Sequence, residues 1–205
     1  MIYLNNSLLI GRGTLRACYL HPENSGLIIK VPAGDQDKGG QANHKELKGY
    51  RRLIRDHGQL DCISHCHGTV DTSLGPGLLC DCIRDEDGAV SKTIWDLVIY
   101  QDTCDIDYLQ QVTGKFCDKL IEHDIFLFDI NLKNIAMKRL NDGSYQPYAI
   151  DVKGPYDNPE FLGLSSHIRF LGRKKLKRRA AQLLARIVEF RQRRAELRGL
   201  EAARD

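Results

Sequence analysis

The sequence lacks any apolar run close to the roughly 20 residues that a membrane-spanning helix requires. It also lacks the features of an export signal, because no basic region precedes the short apolar run at residues 8–10. Neither an internal repeat nor a low-complexity linker interrupts the 205 residues. These absences predict a cytoplasmic protein that folds as a single domain.

Cysteine is present, but the seven cysteines are an odd number and do not suit a complete disulfide framework. Free thiols fit the reducing cytoplasm. With 42% hydrophobic and 28% charged residues, a chain of this length buries one core or two small lobes without disulfides. The formal charge of +3 conceals an acidic region at 81–107 and a basic one at 169–198, so net charge names no partner.

Several of the cysteines lie near histidines, which raises the alternative of a zinc site. The Cys-x3-Cys and Cys-x-Cys spacings differ from the usual paired zinc knuckles. Strand alternation instead predicts that Cys80 and Cys82 are buried together as small hydrophobic side chains, and we favour that interpretation. The candidate ligands are Cys62, His65, Cys66, His67, Cys80 and Cys82.

The first half of the chain alternates short apolar segments with turns, a pattern typical of antiparallel strands. The pattern predicts a glycine-rich hairpin, a third strand, a loop and a helix capped by Asn43, followed by another hairpin and a polar loop that we interpret as a lobe boundary. The predicted ranges are strands beside Gly11 and Gly13, at 17–20 and at 27–31, the loop 33–40, the helix 43–57, strands at 67–72 and 77–83, and the boundary loop 85–88.

The second half favours helices, with one hairpin between them. Asn141-Asp142-Gly143 is a strong turn signal, and apolar residues flank it on both sides. The predicted ranges are helices at 93–100 and 106–123, apolar segments at 125–137 and 148–152 around the turn, and a basic helix at about 173–198.

The basic helix at 173–198 has an apolar stripe along a strongly charged surface. The stripe is expected to close the second lobe while the charges remain in solvent. A second interpretation places the helix on anionic lipid, at the inner surface of the membrane. Nucleic acid is not favoured as a partner, because no aromatic residues alternate with the charges.

Phosphoryl transfer needs donors around the phosphates, metal-binding oxygens and a carboxylate that orients the acceptor hydroxyl. Gly11, Arg12, Gly13 and Thr14 lie between two predicted strands, where glycines let backbone amides approach phosphate oxygens. Arg16 stands where a third glycine would complete the G-x-G-x-x-G pattern. An ordinary hairpin turn explains the two glycines equally well.

Lys30 lies near the end of an apolar strand, where its ammonium group is placed to reach nucleotide phosphates. Glu46 on the predicted helix is its natural partner. Taken one at a time, the two residues are also explained as a snorkelling strand lysine and a solvated helix glutamate.

Asp129 and Asn134 follow an apolar run, 125–128, in the motif Asp-Ile-Asn-Leu-Lys-Asn. Asp129 is a candidate to accept the proton of an acceptor hydroxyl, and Asn134 to bind Mg²⁺ through its amide oxygen. The predicted hairpin brings Asn134 to the same edge as Asp151, so the two share a candidate magnesium site. The alternative is a loop with Asx turns and a charged residue at a strand end.

The order of these elements resembles the protein-kinase superfamily over nearly the whole chain. More closely, the chain resembles the bacterial PhoP-regulatory-network, or YrbL-type, family. The segments that carry this second resemblance are residues 12–19, His21-Pro22-Glu23, Lys45-Glu46-Leu47, residues 67–72 and Asn134-Ile135.

The resemblance implies an α+β, protein-kinase-like bilobal fold that binds ATP and Mg²⁺. Residues 1–84 would form an N-terminal lobe with an antiparallel sheet and one main helix, and 85–205 a reduced, mainly helical C-terminal lobe. Gly11 and Gly13 match the nucleotide loop, Lys30 and Glu46 the phosphate-binding pair, and Asp129, Asn134 and Asp151 the catalytic and metal-binding residues. Cys80, Asp81, Cys82 and Ile83 match the hinge that meets adenine.

Several positions depart from the kinase pattern. Leu127 stands in place of a histidine, Val152-Lys153-Gly154 follows Asp151, and only about 50 residues remain after Asp151, too few for a peptide-docking lobe. The expected function is therefore ATP-dependent phosphoryl transfer to an unidentified, non-peptide hydroxyl. The alternatives are a pseudokinase that acts as a nucleotide-binding regulatory or scaffolding module, and an interaction domain that binds no nucleotide.

Overall fold

A computed structural model describes residues 1–101, 104–127, 129–152 and 169–202, the last five through their backbone only. Within these ranges, a five-stranded antiparallel sheet with one long helix occupies the first part of the chain, and a three-stranded sheet with three helices follows. The elements are β1 (Leu9–Arg12), β2 (Arg16–Leu20), β3 (Leu27–Pro32), α1 (Gln36–His57), β4 (Cys66–Thr72), β5 (Gly75–Asp81), β6 (Lys92–Thr93), α2 (Ile94–Tyr100), α3 (Ile106–Glu122), β7 (Ile135–Arg139), β8 (Tyr145–Ala149) and α4 (Arg169–Ala202).

The larger sheet has the strand order β1-β2-β3-β5-β4, and all its pairs are antiparallel. Strand β3 lies at the centre, and five of its six residues are buried. The apolar residues Ile28, Ile29 and Val31 explain this position, because a strand with a neighbour on each edge and packing on both faces needs a continuous apolar run. Lys30 is the one charged residue in that run. The α+β class, the antiparallel sheet and its one main helix are confirmed.

Helix α1 begins earlier than the predicted cap at Asn43, which was wrong. The side chain of Asp35 accepts a hydrogen bond from the Lys38 amide at 3.0 Å and caps a helix that starts at Gln36. Gly39 and Gly40 had suggested a loop, because each glycine disfavours a helix by about 1 kcal/mol. A Cβ on Gly39 would lie 2.6 Å from Pro32 Cβ, so this glycine lets the helix approach β3 closely.

Helices α2 and α3 match the sequence prediction within one residue at each end. Thr93 and Asp96 form a reciprocal capping box at the start of α2. The hairpin is shifted from its prediction: β7 begins only at Ile135, and β8 ends at Ala149 rather than continuing to 152. Asp151 therefore lies two residues beyond the strand.

Helix α4 extends at both ends beyond the predicted 173–198. Leu176, Ala180, Leu183 and Ile187 are buried in the same core cluster as α2, α3 and β7. Their spacing of three to four residues places them on one face. The expectation that the apolar stripe closes this part of the molecule is confirmed. Within the described residues, no helix is long and apolar enough to cross a membrane.

Candidate functional site

Lys30 and Glu46 form a buried ion pair between β3 and α1. Lys30 Nζ lies 2.6 Å from Glu46 Oε1, and the two residues are 4% and 1% exposed. Burial alone would lower the pKa of the Lys30 ammonium, but the attraction of Glu46 outweighs it and the pKa lies above its ordinary value. The lysine is therefore a fixed positive charge inside the molecule.

Lys30 also connects the two sheets. Its Nζ donates to the carbonyl of Ile150 at 2.5 Å, just after β8. Asn43, one turn before Glu46 on α1, donates its Nδ2 to the carbonyl of Lys30 at 2.8 Å. Helix α1 thus holds both the side chain and the backbone of Lys30.

Arg16 belongs to the same cluster, and the sequence analysis missed this role. One terminal nitrogen, Nη1, bonds Glu46 Oε2 and lies 3.1 Å from Asn43 Oδ1, while Nη2 lies 3.1 Å from Asp151 Oδ1. The strand register explains how it reaches the site, because Cys18 pairs with Lys30 across β2 and β3 and Arg16 shares a face with Cys18. The position of Arg16 depends on this register, which cannot be read from the sequence alone.

The cluster joins two cations, Arg16 and Lys30, to two carboxylates, Glu46 and Asp151. Burial works against the Arg16 charge, yet the two carboxylates raise the pKa of its guanidinium above the ordinary value. The side chains of Arg16 and Asp151 keep 12% and 16% of their surface exposed, against 1% for Glu46. Solvent therefore reaches the Arg16–Asp151 side of the cluster.

Asp129 and Asn134 are joined by a tight loop before β7. Asn134 Nδ2 donates to the Asp129 carbonyl at 3.1 Å, and the Asn134 amide donates to the Asn131 carbonyl at 3.1 Å. Asn131 Oδ1 accepts from the Lys133 amide at 2.9 Å, an Asx turn. The loop interpretation and the functional one are thus compatible. The side-chain nitrogen of Asn134 makes the loop hydrogen bond, and its side-chain oxygen, the atom that would ligate a metal, takes no part in that bond.

Asn134 lies beside the segment that carries Asp151. Ile135 pairs with Ala149 in the hairpin, and the Ile150 amide donates to the Asn134 carbonyl at 3.0 Å. The predicted juxtaposition of Asn134 with the residues around Asp151 is therefore present in the backbone. Through Ile150 it adjoins Lys30 as well.

The glycine-rich turn has no internal requirement for glycine. Gly11 and Arg12 end β1, Gly13 and Thr14 form the turn, and all four are exposed. No atom of the described chain lies within 4 Å of a Cβ placed on Gly11, and a Cβ on Gly13 would meet only the Arg16 carbonyl at 3.6 Å. The protein itself would accept larger residues here, so any demand for glycine would come from a ligand.

The predicted hinge is bonded largely within the protein. The amides of Asp81 and Cys82 donate to the carbonyls of His65 and Gly26 at 2.9 and 2.8 Å. The Ile83 carbonyl accepts from the Ser91 amide at 3.0 Å. Adenine would have to use the remaining backbone groups of Cys82 and Ile83, because Cys80 is paired with Ile28 in the sheet, or displace these bonds.

Cys66 and Cys80 form a buried thiol pair behind Lys30 and Glu46, with sulfurs 3.3 Å apart. Within the described ranges, Glu46, Cys66 and Cys80 are the one group of three His, Cys, Asp or Glu side chains close enough to hold a metal. Both Glu46 oxygens already bond cations. The bond with Cys80, followed by burial, raises the pKa of the Cys66 thiol, so the thiol is protonated in this arrangement. The histidines of the zinc alternative do not join this group.

Together these elements define an α+β protein. Strand β3, helix α1 and the segment after β8 bring the Lys30–Glu46 pair next to Asp151, which is bonded to Arg16. The family model described as PhoP regulatory network protein YrbL matches residues 2–188, and the chain belongs to that family. A relative in Escherichia coli (strain K12), described as "Uncharacterized protein YrbL", is 31% identical over 158 residues, which cover 75% of this chain and 74% of the relative. A Shigella flexneri protein with the same description matches to the same extent.

Proposed function

We propose that the protein is a small kinase-like phosphotransferase that binds Mg-ATP and transfers the γ-phosphate to a non-peptide hydroxyl. One observation carries the proposal: Lys30, paired with Glu46, bonds the backbone of Ile150, next to Asp151 and to the Asn134 loop. A buried cation and the two segments that carry Asn134 and Asp151 therefore lie together, although they come from elements far apart in the chain. Such convergence is what phosphoryl transfer requires of a protein.

Each residue has a defined part in this proposal. Lys30 binds the α and β phosphates, and Glu46 holds its ammonium group in place. Asp129 accepts the proton as the acceptor oxygen forms its bond to the γ-phosphorus and the bond to the β-phosphate oxygen breaks, which releases ADP. The exposed turn at Gly11 and Gly13 would cover the phosphates.

Asn134 and Asp151 would hold Mg²⁺, because amide and carboxylate oxygens are the hard ligands that this ion prefers. Bound there, Mg²⁺ would neutralise charge on the phosphates. Asp151 Oδ1 already accepts a hydrogen bond from Arg16, so the donor set fits the ion only once this bond is released.

A pseudokinase is the second candidate, and two observations favour it. Arg16 bonds the carboxylate meant for the metal, and the amides of Asp81 and Cys82 are bonded within the protein. In that case the protein binds nucleotide as a regulatory or scaffolding module and no phosphate moves.

Thermal unfolding with Mg-ATP tests the nucleotide site. Ligand at a hundredfold excess over its Kd stabilises the native state by about 2.7 kcal/mol, which raises Tm by several degrees. The rise should require Mg²⁺ and disappear in Asp151→Asn. Asp142→Asn is the control, because it removes one exposed carboxylate from the β7–β8 turn. If wild type shows no rise at any ATP concentration, the protein is an interaction module and both proposals fail.

Asp129→Asn separates the two candidates. In a phosphotransferase this substitution should abolish ADP production but leave the Mg-ATP stabilisation within about a degree, because Asp129 acts on the acceptor rather than on the nucleotide. ADP production that is equally fast in Asp129→Asn would contradict its proposed role. Mg-ATP binding without any ADP production in wild type, over a panel of sugar, lipid-headgroup and amino-alcohol acceptors, would favour the pseudokinase.

A further inference from the structure

Arg16 occupies a position that the proposed function leaves unexplained. It lies at the start of β2, directly after the exposed Gly13-Thr14 turn, and its guanidinium lies between carboxylates of α1 and of the segment after β8. It is thus both a neighbour of the proposed phosphate loop and a ligand of the proposed metal-binding carboxylate.

The two terminal nitrogens of Arg16 have different partners. Nη1 bonds Glu46 and Asn43, both buried residues of α1, whereas Nη2 bonds Asp151, which is partly open to solvent. The Glu46 side anchors the guanidinium. A ligand that enters from solvent is able to replace Asp151 as the partner of Nη2.

The four side chains of the cluster, Arg16, Lys30, Glu46 and Asp151, carry no net charge among themselves. Two cations face two carboxylates, so a divalent ion at Asp151 would bring two further positive charges next to Arg16 and Lys30. An ion bound to Asp151 would lie close to the Arg16 guanidinium, and like charges that are partly shielded from water repel each other strongly. A metal alone therefore competes poorly with the guanidinium.

A polyphosphate changes this balance. Its oxygens supply both the negative charge that offsets the metal and the acceptors that Nη2 needs after it leaves Asp151, and a guanidinium suits phosphate oxygens well because its donors form a planar fork.

We propose that Arg16 makes metal binding conditional on a polyphosphate: its guanidinium holds Asp151 until phosphate oxygens take it over, so that a divalent ion and the polyphosphate bind together and neither binds well alone. This inference rests on the proposed function in one respect, the assignment of Asp151 as a metal ligand. It adds that Arg16 is the residue that couples the two ligands.

Binding of Mn²⁺ without nucleotide tests the first half of the inference. The titration follows the free-ion signal in electron paramagnetic resonance for wild type, Arg16→Gln and Arg16→Lys. Arg55→Gln on α1, whose side chain is 68% exposed, is the charge-matched control. Arg16→Gln should bind Mn²⁺ about tenfold or more tightly than wild type, and the gain should vanish when Asp151→Asn is added. Equal Mn²⁺ binding by wild type and Arg16→Gln would overturn the inference.

Calorimetric titration of ATP, with saturating Mn²⁺ and with chelator, tests the second half. The ratio of the two Kd values should exceed about tenfold in wild type and be several-fold smaller in Arg16→Gln, where only the direct attraction between the metal and the phosphates remains. Arg16→Lys keeps one charge but cannot bridge Glu46 and Asp151. Its Kd ratio should therefore lie between those of wild type and Arg16→Gln. If Arg16→Gln does not fold, Arg16→Lys decides alone, and an unchanged ratio in it contradicts the coupling.

The two proposals fail in different ways. If neither wild type nor Arg16→Gln binds ATP, while Arg16→Gln gains an Asp151-dependent Mn²⁺ site, the proposed function is wrong but Arg16 does exclude the metal. If wild type binds ATP with Mn²⁺ and Arg16→Gln keeps the same ratio, the function stands and the role of Arg16 is refuted.

Discussion

Glu46 accepts from two cations at once: its Oε1 lies 2.6 Å from Lys30 Nζ and its Oε2 bonds Arg16. Glu46 therefore differs from Lys30. The loss of Lys30 leaves Glu46 with Arg16, whereas the loss of Glu46 takes away the carboxylate that both Lys30 and Arg16 bond. An unpaired buried charge is far more costly than a missing pair.

We therefore expect Glu46→Gln to destabilise the fold more than Lys30→Met. Glu46→Gln should cost about 3–5 kcal/mol, the usual effect of leaving a buried charge without its partner, and Lys30→Met should cost less. Urea unfolding followed by circular dichroism measures both. Lys38→Met, which breaks the exposed pair with Asp35, is the control and should change the free energy of unfolding by less than about 0.5 kcal/mol. Equal losses in Glu46→Gln and Lys30→Met would show that Arg16 does not compensate.

Alanine in place of two adjacent glycines of α1 should have opposite effects on stability. A Cβ on Gly39 would lie 2.6 Å from Pro32 Cβ and 2.8 Å from the Leu15 carbonyl, whereas no atom of the described chain lies within 4 Å of one on Gly40. Gly39→Ala should destabilise by about 1–3 kcal/mol through overpacking, and Gly40→Ala should stabilise by up to about 1 kcal/mol through helix propensity. Thermal unfolding of the two variants side by side measures the difference. Destabilisation by both would mean that α1 does not extend back to Gln36.

The start of α1 at these glycines was not predicted from the sequence, whereas other elements were. The apolar periodicity of β3, α2 and α3 is strong, so these elements were predicted within one residue. Gly39-Gly40 suggested a loop, because the packing of α1 on Pro32 is a tertiary contact that propensity does not contain.

The same limit applies to the site. Lys30 and Glu46 were predicted to pair because a lysine placed to reach nucleotide phosphates needs a helix carboxylate to hold it. The contribution of Arg16 depends on the β2–β3 register, in which Cys18 faces Lys30. A shift of one residue would have turned Arg16 to the opposite face, so the sequence alone could not assign it.

Buried thiols predict a loss of stability at alkaline pH. Burial, together with the nearby Asp118, raises the pKa of Cys117 from 9.0 to about 12, so the native thiol stays protonated where the unfolded thiol ionises. Because the native state then binds more protons, stability is fully present below pH 9 and falls between pH 9 and about 12, by about 1.4 kcal/mol per pH unit for this one group. Urea unfolding at pH 8, 9.5 and 11 measures the slope.

Cys117→Val is the matched variant for this slope, since valine fills a similar volume and does not titrate. Its stability should fall less steeply with pH than that of wild type. The other thiols whose pKa burial raises, Cys62 and Cys82 among them, keep part of the dependence in the variant. Parallel slopes for the two proteins would show that the Cys117 thiol ionises equally in both states.

The basic surface of α4 makes a final prediction about a partner. The apolar stripe of this helix is used inside the molecule, so any membrane contact must come from its exposed side, where Lys174 and Lys177 lie close to Phe170, which is 71% exposed. Basic residues near an anionic bilayer contribute about 1 kcal/mol each, and a protruding aromatic ring suits the interface. We therefore propose that the protein binds peripherally to anionic membranes through this end of α4.

Cosedimentation with lipid vesicles tests that contact. The protein should bind vesicles that contain phosphatidylglycerol at low salt, bind phosphatidylcholine vesicles poorly, and dissociate as salt screens the charges. Lys174→Gln with Lys177→Gln should weaken binding about 30-fold, the equivalent of about 2 kcal/mol. Arg193→Gln, near the opposite end of the helix and paired with Glu189, should have a smaller effect. Binding that is indifferent to lipid charge would reject the electrostatic contact, and failure to bind at low salt would leave the α4 charges as a solvated surface.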